Sequence, residues 1–126
     1  MRRAARENGL ITDIERREGA RWYPPRGQPM PPSRPKATPT VLIDTQRALA
    51  TEWRFAPGAE TGWHRHGYDY IVVPMTTGQL LIESPGGTET IVPLTSGVPY
   101  ARNEGVEHNV VNASDREFTF IEIELK

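Results

Sequence analysis

From Val41 onward the chain is a succession of short apolar runs: "VLI", "RALATEWRF", "YIVVPM", "QLLIES", "ETIVPL", "PYAR", "HNVV" and "EFTFIEIEL". Between them lie "APGAETG", "TTG", "SPGGT", "TSG", "RNEG" and "NASD", rich in the residues whose backbone freedom or side-chain hydrogen bonding makes turns. Within the runs the apolar period is two. Leu49, Thr51, Trp53 and Phe55 fall on one side, and Phe118, Phe120 and Ile123 are expected to trade sides with Thr119 and Glu122. About eight short strands at this spacing predict an all-β sandwich or barrel, with Trp53 and Phe55 in its core.

The first 40 residues read differently. "GLITDIERREGARWY" suits one helical turn or an added strand, and "PPRGQPMPPSRPKATPT" is proline-rich enough to be an extended linker or a wrapped arm. This divides the chain into a basic, Pro-rich N-terminal extension, 1–40, and a β-barrel, 41–126. At 126 residues the whole is one domain with a modest core.

Net charge of -1 hides an asymmetry: residues 1–40 hold nine Lys/Arg against four Asp/Glu, and the remainder holds six against twelve. A basic arm can bind nucleic acid, but these cations are scattered among prolines, with only Trp22 and Tyr23 as stacking aromatics. A solvated or packed extension is expected, and no nucleic-acid partner. No apolar run approaches the roughly 18 residues that span a bilayer. "MRRAAREN" is followed by no apolar segment of the export-signal kind, so a soluble cytoplasmic protein without a membrane partner is expected.

There is no cysteine, which excludes disulfides and thiolate ligation, so any metal must be held by nitrogen and oxygen. The three histidines are His64, His66 and His108. Residues two apart on a strand point the same way, their Cβ atoms about 7 Å apart, so His64 and His66 can chelate one ion. His108 opens a different run, and two strands of a barrel can bring all three imidazoles together. The alternative is imidazoles hydrogen-bonded for structure. Gly58, Gly62, Gly78, Gly97 and Gly105 read as turn residues and not as phosphate cradles, since no helix follows them.

With these residues the sequence resembles the cupins. Their first motif runs glycine, five residues, His-x-His, three or four residues, Glu, six residues, Gly. Here five residues separate Gly58 from His64-Arg65-His66, and Gly78 closes the motif one residue late. In the second motif Gly97, Gly105, His108 and Asn112 fall in register, with Asn103 in place of proline. The resemblance covers 41–126 and implies a conserved cupin-type β-barrel, or jelly roll, with His64, His66 and His108 as metal ligands. Tyr70 stands where the family has a metal-binding glutamate. By parity Tyr70 shares the face of the histidines, as does Tyr68 unless Gly67 makes a bulge, while Asp69 points away. A three-histidine site follows, without a carboxylate.

Three neutral imidazoles would leave a divalent ion uncompensated in charge and open to an anionic or chelating ligand. Imidazole suits several metals; Fe(II) is the first choice, with Zn, Ni or Mn as alternatives. The string "GAETGWHRHGYDYIVVPMTTGQLLIE" is most similar to small cupins linked to β-alanine degradation, which implies a small carboxylic or amino acid as ligand. The expected function is a metal-dependent enzyme on such a metabolite, a dioxygenase first, with Tyr70, Tyr100 and Arg102 as candidate catalytic groups. The alternative is a non-catalytic accessory cupin that binds a metal or metabolite. A small apolar pocket with a few hydroxyl or guanidinium groups favours the enzyme; a cavity plugged by aromatics favours the accessory role. A homodimer, with the N-terminal arm packed across the partner, is also expected.

Overall fold

All eight apolar runs form strands, and a ninth, two residues long, carries the first histidine. The computed structural model describes residues 33–126. The "GLITDIERREGARWY" segment, expected to be a helical turn or strand, lies outside the described residues. In chain order the strands are β1 (Thr38–Asp44), β2 (Ala48–Phe55), β3 (His64–Arg65), β4 (Asp69–Pro74) and β5 (Gly78–Ser84). They continue with β6 (Thr88–Leu94), β7 (Tyr100–Arg102), β8 (Glu107–Asn112) and β9 (Phe118–Leu125). Five of them form a sheet in the order β1-β2-β9-β4-β7, and four form a second in the order β3-β8-β5-β6. Every strand pairing is antiparallel. The all-β architecture is the one the alternation predicted, and its jelly-roll form is the one the resemblance implied. Among the described residues no helix is long and apolar enough to cross a membrane.

The core lies between the sheets. Phe55, Phe118, Phe120, Tyr70, Val72, Leu80 and Val110 are buried there, with Trp53 packed against them. Cross-strand partners share a face, so the pairs Phe55↔Phe118 and Trp53↔Phe120 place both β2 aromatics inward, as expected. The Phe55 and Phe120 rings meet at 5.4 Å and 43°, a tilted contact that adds to their buried area.

Two expectations about side-chain direction are corrected. β9 pairs with β2 and β4 without a register break, so its period of two runs unbroken from Phe118. Glu122 therefore lies inward with Phe118 and Phe120, and Ile123 lies outward. Gly78 is no turn glycine either: it opens β5, and a Cβ there would stand 2.6 Å from Ser114 Oγ and 2.9 Å from Phe118 Cδ2. It is small because a buried ring occupies the space.

The second motif's asparagine closes the barrel end. Asn112 is buried; its amide donates to the carbonyls of Phe55, Ala56 and Arg116, and its oxygen accepts from Ser114 N. One buried side chain thus ties together the backbone of two turns.

Candidate metal centre

Backbone pairing brings the histidines together. In the β3–β8 ladder His64 stands directly opposite His108, and Arg65 opposite Glu107. His66 lies one residue beyond β3, where its N–H donates to Val106 O (2.9 Å) and its carbonyl accepts from Gly105 N (2.8 Å). Beyond it the chain bends at Gly67 and Tyr68 and crosses to the other sheet. The single continuous strand expected here is thus two strands with a bend between them. Tyr68 is turned out to 40 % exposure, and Asp69, facing away as parity predicted, accepts a hydrogen bond from Glu104 N at 2.8 Å.

The three imidazoles converge through one kind of atom. His64 Nε2 is 3.1 Å from His66 Nε2, which is 3.2 Å from His108 Nε2. His64 Nδ1 lies 2.8 Å from the carbonyl of Gly62; a carbonyl only accepts, so Nδ1 carries the proton and Nε2 presents its lone pair. Gly62 sits at φ 92°, a conformation that glycine adopts without strain. Its N–H donates to the buried Asn109 Oδ1 at 2.9 Å. Asn109 Nδ2 in turn donates to Glu60 (2.9 Å) and Glu83 (2.8 Å).

That arrangement fits a cation. One proton on His66 Nε2 can point well at one of its two neighbours, whereas one cation serves all three lone pairs. With metal–nitrogen distances of about 2.0–2.1 Å, nitrogens this far apart subtend about 100° at the ion, within the range of common coordination geometries. The three side chains form a group that could hold a metal ion. Burial, reinforced by His64, His66 and Arg102, holds the His108 pKa well below the ordinary imidazole range, so its ring stays neutral, as ligation requires.

A cavity of about 90 Å³ adjoins His108. Tyr70, Tyr100, Arg102 and Glu122 are among its polar groups, with Ser84 and Glu107, and Val72, Leu80, Ile82, Val110 and Phe120 form much of its apolar wall. All three residues expected beside the metal site thus line one cavity. Tyr70 does not plug it: its ring stacks on His66, centroids 3.7 Å apart and planes 16° from parallel. Burial, with Glu122 and Tyr100 adding to it and Arg102 opposing, raises the Tyr70 pKa well above that of a free phenol. Tyr100 is raised too, by burial and then Glu122, against the opposing pull of Arg102, whose guanidinium lies 5.8 Å from the Tyr100 ring centroid. Both hydroxyls are neutral donors at ordinary pH.

Two acidic residues join the site that sequence reasoning had not assigned to it. Glu122 Oε2 lies 3.7 Å from His66 Nε2, and Glu124 Oε2 lies 3.8 Å from His66 Nδ1. The signal was present, since both share the parity of Phe118 and Phe120.

No protein-family model matches the chain. It is 58% identical over 93 residues to the Beta-alanine degradation protein BauB of Pseudomonas aeruginosa, covering 74% of this chain and 97% of that protein. Among solved structures, a cupin domain from Bordetella pertussis Tohama I shares 62% identity with a TM-score of 0.73, covering 76% of this chain and 99% of that one. A cupin superfamily protein from Desulfitobacterium hafniense DCB-2, at 16% identity and a TM-score of 0.58, covers 80% and 93% and shares the fold. With that identity across nearly the whole of the relative, and with the same barrel, the chain belongs to the cupins and resembles BauB.

Proposed function

We propose that the protein is a metal-dependent cupin enzyme acting on a small carboxylic or amino acid, a dioxygenase first. The convergence of His64, His66 and His108 Nε2 beside the cavity carries this reading. Fe(II) is the first candidate, with Zn, Ni or Mn as alternatives; when bound, the ion supplies a Lewis acid and, as iron, chemistry with O2. The name of the Pseudomonas relative connects that protein to β-alanine degradation, and the proposal takes its substrate class from there.

The chain's own residues have roles suited to such a substrate. Arg102 pairs its guanidinium with the substrate carboxylate. Tyr70 and Tyr100 donate hydrogen bonds as neutral phenols, and the apolar wall keeps water from the reacting end. A cavity of about 90 Å³ is small, which suits a short-chain acid. A cytoplasmic site of action and a homodimer belong to the same proposal. The dimer is supported by an apolar row on the outer face of the five-stranded sheet.

The test is elemental analysis of protein purified without added metal, followed by substrate-loss and oxygen-consumption assays with short amino and carboxylic acids on the iron-loaded form. Turnover of one of them supports the enzyme. Full metal loading with no turnover of any acid, under air and under nitrogen, would replace it with the accessory metabolite-binding role.

A further inference from the structure

His66 is 4 % exposed, and its Nδ1 has no hydrogen-bond partner among the described residues. Its neighbour His64 has one, the Gly62 carbonyl at 2.8 Å. A neutral imidazole whose Nε2 lone pair faces the other two histidines must carry its proton on Nδ1. A buried N–H of that kind needs an acceptor. The Glu124 carboxylate lies 3.8 Å away on the Nδ1 side, just beyond hydrogen-bond range, and that of Glu122 lies 3.7 Å away on the Nε2 side. Glu122 also lines the cavity. Resting on the metal reading above, we propose that Glu122 and Glu124 of β9 supply the negative charge that the first motif lacks with Tyr70 in its place. Glu124 accepts a hydrogen bond from His66 Nδ1–H and orients the ring, and Glu122 sets its carboxylate beside the ion-facing nitrogens.

The physical case is one of charge and direction. Three neutral imidazoles leave a divalent ion uncompensated in a site where His66 and Tyr70 are both buried, and the low local dielectric makes nearby carboxylates count for more than they do in water. A carboxylate behind a ligating histidine fixes its tautomer and raises its basicity. Successive inward positions of one strand deliver both groups, since Glu122 pairs with Val72 and Glu124 with Tyr70 across the β4–β9 ladder. The donor atoms of His66, Glu122 and Glu124 all fall within 4.8 Å of one another. Tyr70 fits the scheme as a spacer: its ring covers one face of His66 while the charge comes from the neighbouring strand.

The test strips the full chain with a chelator and titrates it with Co(II), read by calorimetry and by the visible absorption bands of the ion. Glu122→Gln and Glu124→Gln should each weaken binding about 10- to 100-fold and shift the cobalt bands. Glu122→Asp and Glu124→Asp, which keep the charge, should recover part of the loss. Melting of the metal-free variants, unchanged or raised, separates this role from a structural one. If wild-type protein binds Co(II), the His64→Ala/His66→Ala variant does not, and both Gln variants bind within twofold of wild type with unchanged bands, the β9 carboxylates have no part while the metal reading stands. Wild-type protein that takes up no Co(II) overturns both.

Discussion

His64 and His108 are direct cross-strand partners in the β3–β8 ladder, and this pairing creates the cluster of imidazoles. Directly opposed residues project to one face, so a strand of two residues is long enough. The backbone bonds of His66 to Val106 and Gly105 extend the same register by one position. About one divalent ion per chain is expected, at nitrogen distances of about 2.0–2.2 Å. Replacing His64 and His66 together by alanine should abolish metal uptake, measured by elemental analysis; full stoichiometry in that variant would refute the assignment.

Tyr70 is expected to act as a packing and hydrogen-bonding group and not as an obligatory ligand. Its hydroxyl resists ionisation because it is buried near Glu122, and coordination would require that proton to leave. Tyr70→Phe keeps the ring stacked on His66 and should retain metal, with a loss confined to turnover. Tyr70→Ala removes the stack and should lower stability by about 3–5 kcal/mol, the range for truncating a buried aromatic. A phenolate charge-transfer band in an iron-loaded sample, or metal lost on Tyr70→Phe, would contradict this.

How much of this was legible depends on whether the signal was local. The eight apolar runs and their turn residues predicted their strands, because period two and turn chemistry belong to neighbouring residues. β3 has no apolar signature: it holds only His64 and Arg65, and its existence depends on pairing with Glu107 and His108 far along the chain. The three histidines were readable from spacing, but their convergence needed that pairing. Glu122 and Glu124 were obscured by the habit of turning charge outward; the unbroken parity from Phe118 places them inward. Gly78 looks like any turn glycine, and its packing role depends on Phe118, which arrives from β9. Arg34 and Lys36 sit in a segment read as solvated or packed, and their partners Glu60 and Glu83 are fixed only by the tertiary fold.

Those last contacts predict a pH dependence of stability. Arg34 meets Glu83 through two bonds of 3.0 Å and Glu60 at 3.2 Å, while Lys36 Nζ lies 3.0 Å from Glu60. Burial opposes the charge on Glu60, but hydrogen bonds from Asn109 and Lys36, the charge of Lys36 and a hydrogen bond from Arg34 outweigh it and lower the pKa. A carboxylate whose folded pKa is depressed stabilises the native state above its unfolded value of about 4.3. That contribution is lost as pH falls from there through the folded value. Urea midpoints of wild type and Glu60→Gln should therefore differ at pH 7 and converge as pH drops below about 4. A gap that stays constant across the range would show that the Glu60 charge contributes nothing.

Gly78 and Gly67 make a contrasting pair. Gly78→Ala would drive a methyl into Phe118, which is fully buried and has no room to move. A loss of about 1–3 kcal/mol is expected from such overpacking. A Cβ on Gly67 would meet nothing within 4 Å, and the backbone there is not left-handed. Gly67→Ala should therefore change stability by less than about 0.5 kcal/mol, although it adjoins His66. Thermal melts of the two variants side by side decide the matter, and equal losses would sink the packing account of Gly78.

The expected homodimer has a surface to form on. Across the outer face of the five-stranded sheet the registers align Ile43, Ala50, Ile123, Ile71 and Ala101 in one row. Ile121 and Val73 form a pair beside it, also facing away from the core. β1, at the sheet edge, exposes Val41 at 59 %, Leu42 at 49 % and Ile43 at 54 %. An apolar row that crosses a whole sheet, ending on an exposed edge strand, is what a second sheet of the same kind can cover. Light scattering should give twice the chain mass for wild type. Ile71→Glu and Ile123→Glu put a charge at the middle of the row while leaving the barrel interior untouched, and each should give the single-chain mass with cooperative melting retained. Deleting residues 1–32, which precede the described barrel, tests the arm separately: if it stabilises the assembly across the partner, the truncated protein dissociates at a higher concentration than wild type. A wild-type mass of one chain, or a dimer indifferent to both glutamates, would show that the row is not the interface.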